Sequence, residues 1–145
     1  MIIIERQLEV SEQALGEINQ LLPQLRENPK EKLGSIGDLQ SIVEDQNVAL
    51  VVAKDDGRIV GMATLYMITK FGKRGGHIED VVVDSGYRGQ GLGEKIMRAL
   101  IDTARTEHIK TLYLTSRPER VAGNKLYQKL GFERKETNPY SLKLT

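Results

Sequence analysis

A glycine-rich turn lying between a strand-like run and a helix constrains this chain more than any other feature. His77–Val83 (HIEDVVV) reads as a strand that stops at Asp84-Ser85-Gly86. Tyr87-Arg88-Gly89-Gln90-Gly91-Leu92-Gly93 follows, and from Leu92 a helix runs to about Glu107, with Ile96, Leu100 and Ala104 on one face. A helix entered in this way presents unpaired main-chain N–H groups at its positive end, and alternate glycines let a ligand approach them closely. Arg88 adds a positive charge with a planar fork of donors. The chemistry points to phosphate or pyrophosphate. Two common phosphate loops fail on spacing: Leu92-Gly93 replaces the Lys-Ser/Thr pair of a Walker A loop, and Glu94 follows where the dinucleotide fingerprint needs a third glycine. Spacing alone leaves open a glycine-rich helix entry without a ligand.

Around this turn the pattern is regular. Residues 2–10 read as a strand, and Ser11 can cap a helix carrying Leu15, Ile18, Leu22 and Leu25, which Pro23 should kink or end early. A short helix is expected over 35–46. Residues 47–54 and 58–69 form a hairpin about Asp56-Gly57. Lys70–Gly76, polar, basic and glycine-rich, reads as a loop. Lys110–Thr115 is a strand, 119–130 a helix closed by Gly131, and Phe132–Lys135 and Tyr140–Leu144 two last strands. The order β-α-α-β-β-β-α-β-α-β-β implies a single α/β domain over residues 1–145, with a mixed seven-stranded sheet and helices on both faces.

Composition narrows the chemistry. With no Cys there is no disulfide, thiolate zinc site or cysteine nucleophile, and a reducing compartment is expected. With two His, a multi-histidine metal site would need carboxylate help, and no metal is expected. Of these, His108 ends a helix and reads as structural; His77 could line an acceptor pocket. Lys plus Arg number 21 against 20 Asp plus Glu, and there is no Trp, which argues against a nucleic-acid module. No apolar run approaches a membrane span.

Arg88-Gly89-Gln90-Gly91-Leu92-Gly93 after a strand resembles the acetyl-coenzyme A loop of the GCN5-related N-acetyltransferase (GNAT) superfamily. Asn124-Lys125-Leu126-Tyr127-Gln128-Lys129-Leu130-Gly131-Phe132 is similar to the second signature of that superfamily, and the element order matches as well. The resemblance implies acetyl-coenzyme A as cosubstrate, with its pyrophosphate on the main chain of Arg88, Gly89, Gln90, Gly91, Leu92 and Gly93. The pantetheine arm would pair with Val81, Val82 and Val83 as an added strand does. Asn124 and Tyr127 share a helix face and would complete the cofactor site. A packed aromatic is the structural alternative for Tyr127. A cytoplasmic homodimer without membrane or nucleic-acid partners is the accompanying expectation.

Without a cysteine for a covalent intermediate, direct passage of the acetyl group to an amine in a ternary complex is the expectation, and the resemblance implies the same. Glu79 is the candidate general base, although a charged residue at a strand end needs no such role. Asp80 should point to the opposite face if the strand is regular. Tyr127 is the candidate acid to the thiolate, and a main-chain N–H near Val81 could polarise the thioester oxygen. Gly76–Val83 is similar to the corresponding strand of glucosamine-6-phosphate N-acetyltransferases, and Lys70, Lys73 and Arg74 could bind an anionic acceptor or simply form a solvated turn. Amino acids, polyamines, drugs and protein amines also remain open. So does a sensor that binds acetyl-coenzyme A without turnover.

Overall fold

The computed structural model describes residues 1–28 and 30–145, in two compact units, Met1–Thr115 and Ser116–Thr145. In the first unit the order is β1 (Ile2–Arg6), α1 (Glu12–Leu25), α2 (Ile36–Glu44), β2 (Val48–Asp55), β3 (Arg58–Lys70), β4 (Lys73–Val83), α3 (Leu92–Thr106) and β5 (Thr111–Tyr113). The strands form one sheet in the order β1-β2-β3-β4-β5, antiparallel up to β4 and parallel between β4 and β5. The second unit contains α4 (Val121–Lys129).

The helices start where their caps allow. Ser11 accepts the Ala14 N–H at the head of α1, and Ser35 with Asp38 closes a capping box at the head of α2. Pro23 does not end α1, which continues to Leu25; the lost donor falls where the helix is about to stop. Ile18, Leu21 and Leu22 of α1 and Leu39 of α2 join Leu50, Val52, Met62 and Val82 in one core layer. Ile96, Met97 and Leu100 of α3 are fully buried and α3 packs on β2 and β3. Each such side chain contributes about 1.5–3 kcal/mol by leaving water.

Two expectations are corrected. Lys70–Gly76 is not a loop: β3 and β4 run on to a tight turn at Phe71-Gly72, with Lys70 opposite Lys73 and Ile68 opposite Gly75. The glycine at 76 answers to packing, since a Cβ there would stand 2.8 Å from Leu112 and 2.9 Å from Leu65. The sheet has five strands and not seven, because neither Phe132–Lys135 nor Tyr140–Leu144 forms one among the described residues. A strand needs a ladder partner for its N–H and C=O groups. Here Tyr140, Leu142 and Leu144 lie exposed and unpaired.

Candidate active site

The phosphate turn is built on a pinned base. Asp84 N–H donates to the Val60 carbonyl at 2.8 Å, and a single 3-10 turn, Ser85–Tyr87, follows. Gln24, in the last turn of α1, holds this turn from the side: its Oε1 accepts the Ser85 N–H at 2.9 Å and its Nε2 donates to Asp84 at 2.8 Å. Arg88 Nε donates to the Val83 carbonyl at 3.1 Å, so part of its guanidinium secures the turn to the end of β4. Tyr87 donates to Asp55 at 2.6 Å, tying the turn to the β2–β3 hairpin; this hydrogen bond raises the tyrosine pKa and lowers that of Asp55.

Gly89 and Gly91 have φ of 79° and 77°, in the left-handed region where glycine is favoured. Apart from the adjoining residues, no atom lies within 4 Å of where a Cβ would stand at either, so the space over the turn is open. Gly91 is the residue capping α3 and carries no side-chain cap, which leaves the first-turn N–H groups of the helix available to an anion. Leu92 turns its side chain into the core, and Glu94, an acid in that first turn, pairs with Arg98 at 2.9 Å. Arg88 through Gly93 can therefore hold a pyrophosphate by main-chain donors.

The neighbouring strands supply the rest. β5 pairs with β4 only at Gly75, Gly76 and His77. Beyond His77, among the described residues, no strand covers that side of β4 through Val83. The main chain of Val81–Val83 offers an open edge, while the Val82 side chain is buried against Met62.

Within β4 the alternation breaks. Thr64 lies opposite Glu79 and Met62 opposite Val82, so one residue of β3, Ala63, faces two of β4, Asp80 and Val81. This is a β-bulge, and Asp80 adopts φ 55° in it. Glu79 and Asp80 therefore do not point to opposite faces. Glu79 shares the face of its partner Thr64, and Asp80 lines a cleft of about 80 Å³ between α1, α2 and the sheet. Thr64, 3% exposed, lines the same cleft. Asp80 stands at the mouth with part of the residue in solvent, and the packing round its carboxyl raises its pKa against a smaller opposing effect of Arg26. Tyr66, in the same neighbourhood, has its hydroxyl pKa raised by burial first and then by the charges of Asp80 and Glu79. A bulge also leaves main-chain groups of its extra residue off the ladder, close to Val81.

Asp80 and Thr64, with Tyr66 within reach of the acidic charges, are candidate residues that the sequence did not single out. A run of acidic residues before three valines gives no sign of an inserted residue; only the pairing with β3 shows it. His77 stacks on Tyr113 with ring centroids 5.5 Å apart, and Lys70 lies over the Tyr113 ring at 4.9 Å. Arg74 is held by the Glu107 carbonyl and carboxylate and by Asn47. Of the three cations that could greet an anionic acceptor, two thus have partners within the strand-end cluster.

In the second unit, Asn124 spends both amide hydrogens on the Arg117 and Arg120 carbonyls, each at 2.9 Å, which fixes the approach to α4. Tyr127 meets Phe132 edge-on at 6.0 Å, and its ring lies over Gly123. Burial raises its pKa, so the phenol keeps its proton at neutral pH.

A glycine turn on a helix head, an open strand edge beside it and a bulge with a carboxylate thus lie together in the first unit, an arrangement suited to a phosphate-bearing cosubstrate. The Acetyltransferase (GNAT) family model matches residues 15–132, and the chain belongs to that family. It is 36% identical over 143 residues to a glucosamine 6-phosphate N-acetyltransferase of Trypanosoma brucei brucei, covering 92% of this chain and 93% of that protein. It is 31% identical to glucosamine 6-phosphate N-acetyltransferase 1 of Oryza sativa subsp. japonica, over 88% of this chain and 77% of that one. The crystal structure of glucosamine-6-phosphate N-acetyltransferase from Arabidopsis thaliana superimposes with a TM-score of 0.81 at 25% identity, covering 98% of both chains. The protein is an N-acetyltransferase that moves an acetyl group from acetyl-coenzyme A to an amine.

Proposed function

We propose that residues 1–145 act as one catalytic domain in which a primary amine attacks acetyl-coenzyme A directly within a ternary complex. The bulge carries this reading: it sets the Asp80 carboxylate beside the open edge of β4 on which the pantetheine arm would lie. The acceptor ammonium is drawn to Asp80 and Glu79 and gives up a proton. The neutral nitrogen then forms the C–N bond to the acetyl carbon while the main chain near Val81 stabilises charge on the carbonyl oxygen. The C–S bond breaks, the second amine proton passes to a carboxylate, and the departing thiolate takes a proton from Tyr127. Val81, Val82 and Val83, the turn Arg88–Gly93, Asn124 and Tyr127 are the proposed cofactor residues, on the strength of the open turn and the family motif. Main-chain donors on an unobstructed glycine turn support the part assigned to Arg88–Gly93.

Aminosugar phosphates enter as candidate acceptors through the names of the relatives in trypanosome and rice. A homodimer is proposed, supported by the alternating exposed Tyr140, Leu142 and Leu144, which a second chain could cover. No helix of the described residues is long and apolar enough to cross a membrane, and a chain without cysteine suits the cytoplasm. Thiol release from acetyl-coenzyme A across an amine panel tests the reaction. Binding of acetyl-coenzyme A with no thiol release for any amine would replace the enzyme by a sensor.

A further inference from the structure

The cleft beside Asp80 lies wholly within the first unit, and its walls differ from those an aminosugar phosphate needs. Leu15 and Ile18 of α1, Leu39 and Ile42 of α2 and Leu50 and Met62 of the sheet supply the lining. Its polar groups at the sheet are the hydroxyl of Thr64 and the carboxylate of Asp80; Ser35 and Asp38 at the rim are occupied with each other in the capping box of α2. Next to the lining residues Gly34 and Ser35 in sequence, Leu33 and Ile36, the first residue of α2, are exposed. Acidic groups therefore dominate the charge at the mouth.

The nearby cations are engaged: the charge of Arg26 reaches Asp80, beside the acidic Glu31, and that of Lys32 reaches Asp38. Arg26 donates to the Glu31 and Lys32 carbonyls and lies 3.7 Å from the Glu31 carboxylate. Arg74 is held by Glu107 and Asn47, and Lys70 rests on Tyr113. A phosphate entering the cleft would meet leucine, isoleucine and two aspartates. A sugar ring would leave most of its hydroxyls against aliphatic walls, at the cost of unmade hydrogen bonds.

The geometry points to an acceptor that is a primary amine on a short aliphatic chain, with the ammonium at Asp80 and Thr64 and the chain between α1 and α2. This deepens the proposed function and rests on it, since the reacting amine is the one placed at the bulge. The cleft supplies opposite charge at one end and apolar surface along its length. Binding then gains from each methylene removed from water, about 0.8 kcal/mol or roughly fourfold per CH₂.

The test is a homologous series. With saturating acetyl-coenzyme A, kcat/KM is measured for ethylamine, propylamine, butylamine and 3-methylbutylamine, and for glucosamine and glucosamine 6-phosphate. The expected result is a rise of roughly fourfold per added methylene until the cleft is filled, with both sugars well below butylamine. Leu15→Lys, which sets a cation at the half-buried wall, should cut the value for butylamine about tenfold or more and leave the dissociation constant of acetyl-coenzyme A unchanged. Preference for glucosamine 6-phosphate, or no dependence on chain length, overturns the aliphatic-amine inference and leaves acetyl transfer standing. No transfer to any of these amines, with acetyl-coenzyme A bound in calorimetry, overturns both. Equal loss of cofactor affinity in Leu15→Lys would place the variant's effect outside the cleft and count against it.

Discussion

Gln24 and Ser85 are 61 positions apart, and the side-chain oxygen of the first accepts the main-chain N–H of the second at 2.9 Å. The contact joins α1, whose other face lines the cleft beside Asp80, to the turn that leads from β4 towards α3. Gln24→Leu should raise the dissociation constant of acetyl-coenzyme A about tenfold, as expected for losing one or two net hydrogen bonds that set the turn. Turnover at saturating cofactor should stay near wild type. The pair Gln24→Glu with Asp84→Asn reverses the donor and acceptor and should restore affinity. If calorimetry finds the single and double variants equally weak, Gln24 serves stability only.

Gly91→Val is expected to separate fold from function. A valine at φ 77° is strained by about 1–2 kcal/mol, yet its side chain would enter open space and not a packed wall. Denaturant unfolding should show that modest loss. Acetyl-coenzyme A binding should disappear, because the new methyl groups take the room of the pyrophosphate. Normal affinity in the folded variant would remove the turn from the phosphate site.

Asp80 ties activity to pH and to stability in opposite directions. Burial lifts its pKa in the folded chain, so the folded state binds its proton more readily than the unfolded one. Stability from this group therefore falls as pH rises from the ordinary carboxylate range through the raised value, and above that the ionised Asp80 is a burden. Asp80→Asn should melt higher than wild type at neutral pH, with the gap closing in acid. Its turnover should drop by roughly 10²-fold or more if Asp80 is the base. Glu79→Gln tests the other carboxylate, with the largest loss expected at lower pH, where fewer acceptor amines are already neutral. Should Asp80→Asn lose no activity while Glu79→Gln does, the base is Glu79.

Tyr127→Phe keeps the ring against Phe132 and Gly123, so stability should change by about 1 kcal/mol at most. If proton donation to the thiolate limits the reaction, turnover should fall roughly 10²-fold with cofactor affinity unchanged. A wild-type rate under chemistry-limited conditions would make Tyr127 a packing residue.

The parts of this molecule that read clearly in sequence are those written within one segment. The hairpin about Asp56-Gly57, the helix from Leu92 and the turn between Gly89 and Gly91 each carry their own periodicity or backbone requirement. What depends on a second segment did not read. Gly75-Gly76 resembles a loop until Leu65 and Leu112 are seen to press on Gly76. Asp80 points to the face opposite Glu79 by simple alternation until Ala63 is found facing two residues. Tyr140–Leu144 has the alternation of a strand, but alternation does not supply the neighbour that a ladder requires.

The side of β4 from Ile78 to Val83 that no strand pairs among the described residues has a cost that cofactor binding would offset. A bare row of main-chain donors and acceptors is a template for another chain, and proteins guard such edges with charge. Glu79 and Asp80 stand on this stretch, so two carboxylates offered for chemistry also repel a second copy of the same edge. Neutralising both would leave Ile78 to Val83 nearly uncharged and rich in valine, the composition that favours strand-to-strand aggregation. Acetyl-coenzyme A lying along Val81–Val83 would act as a chaperone for that edge. The protein should then be most soluble, as well as most stable, with its cosubstrate bound.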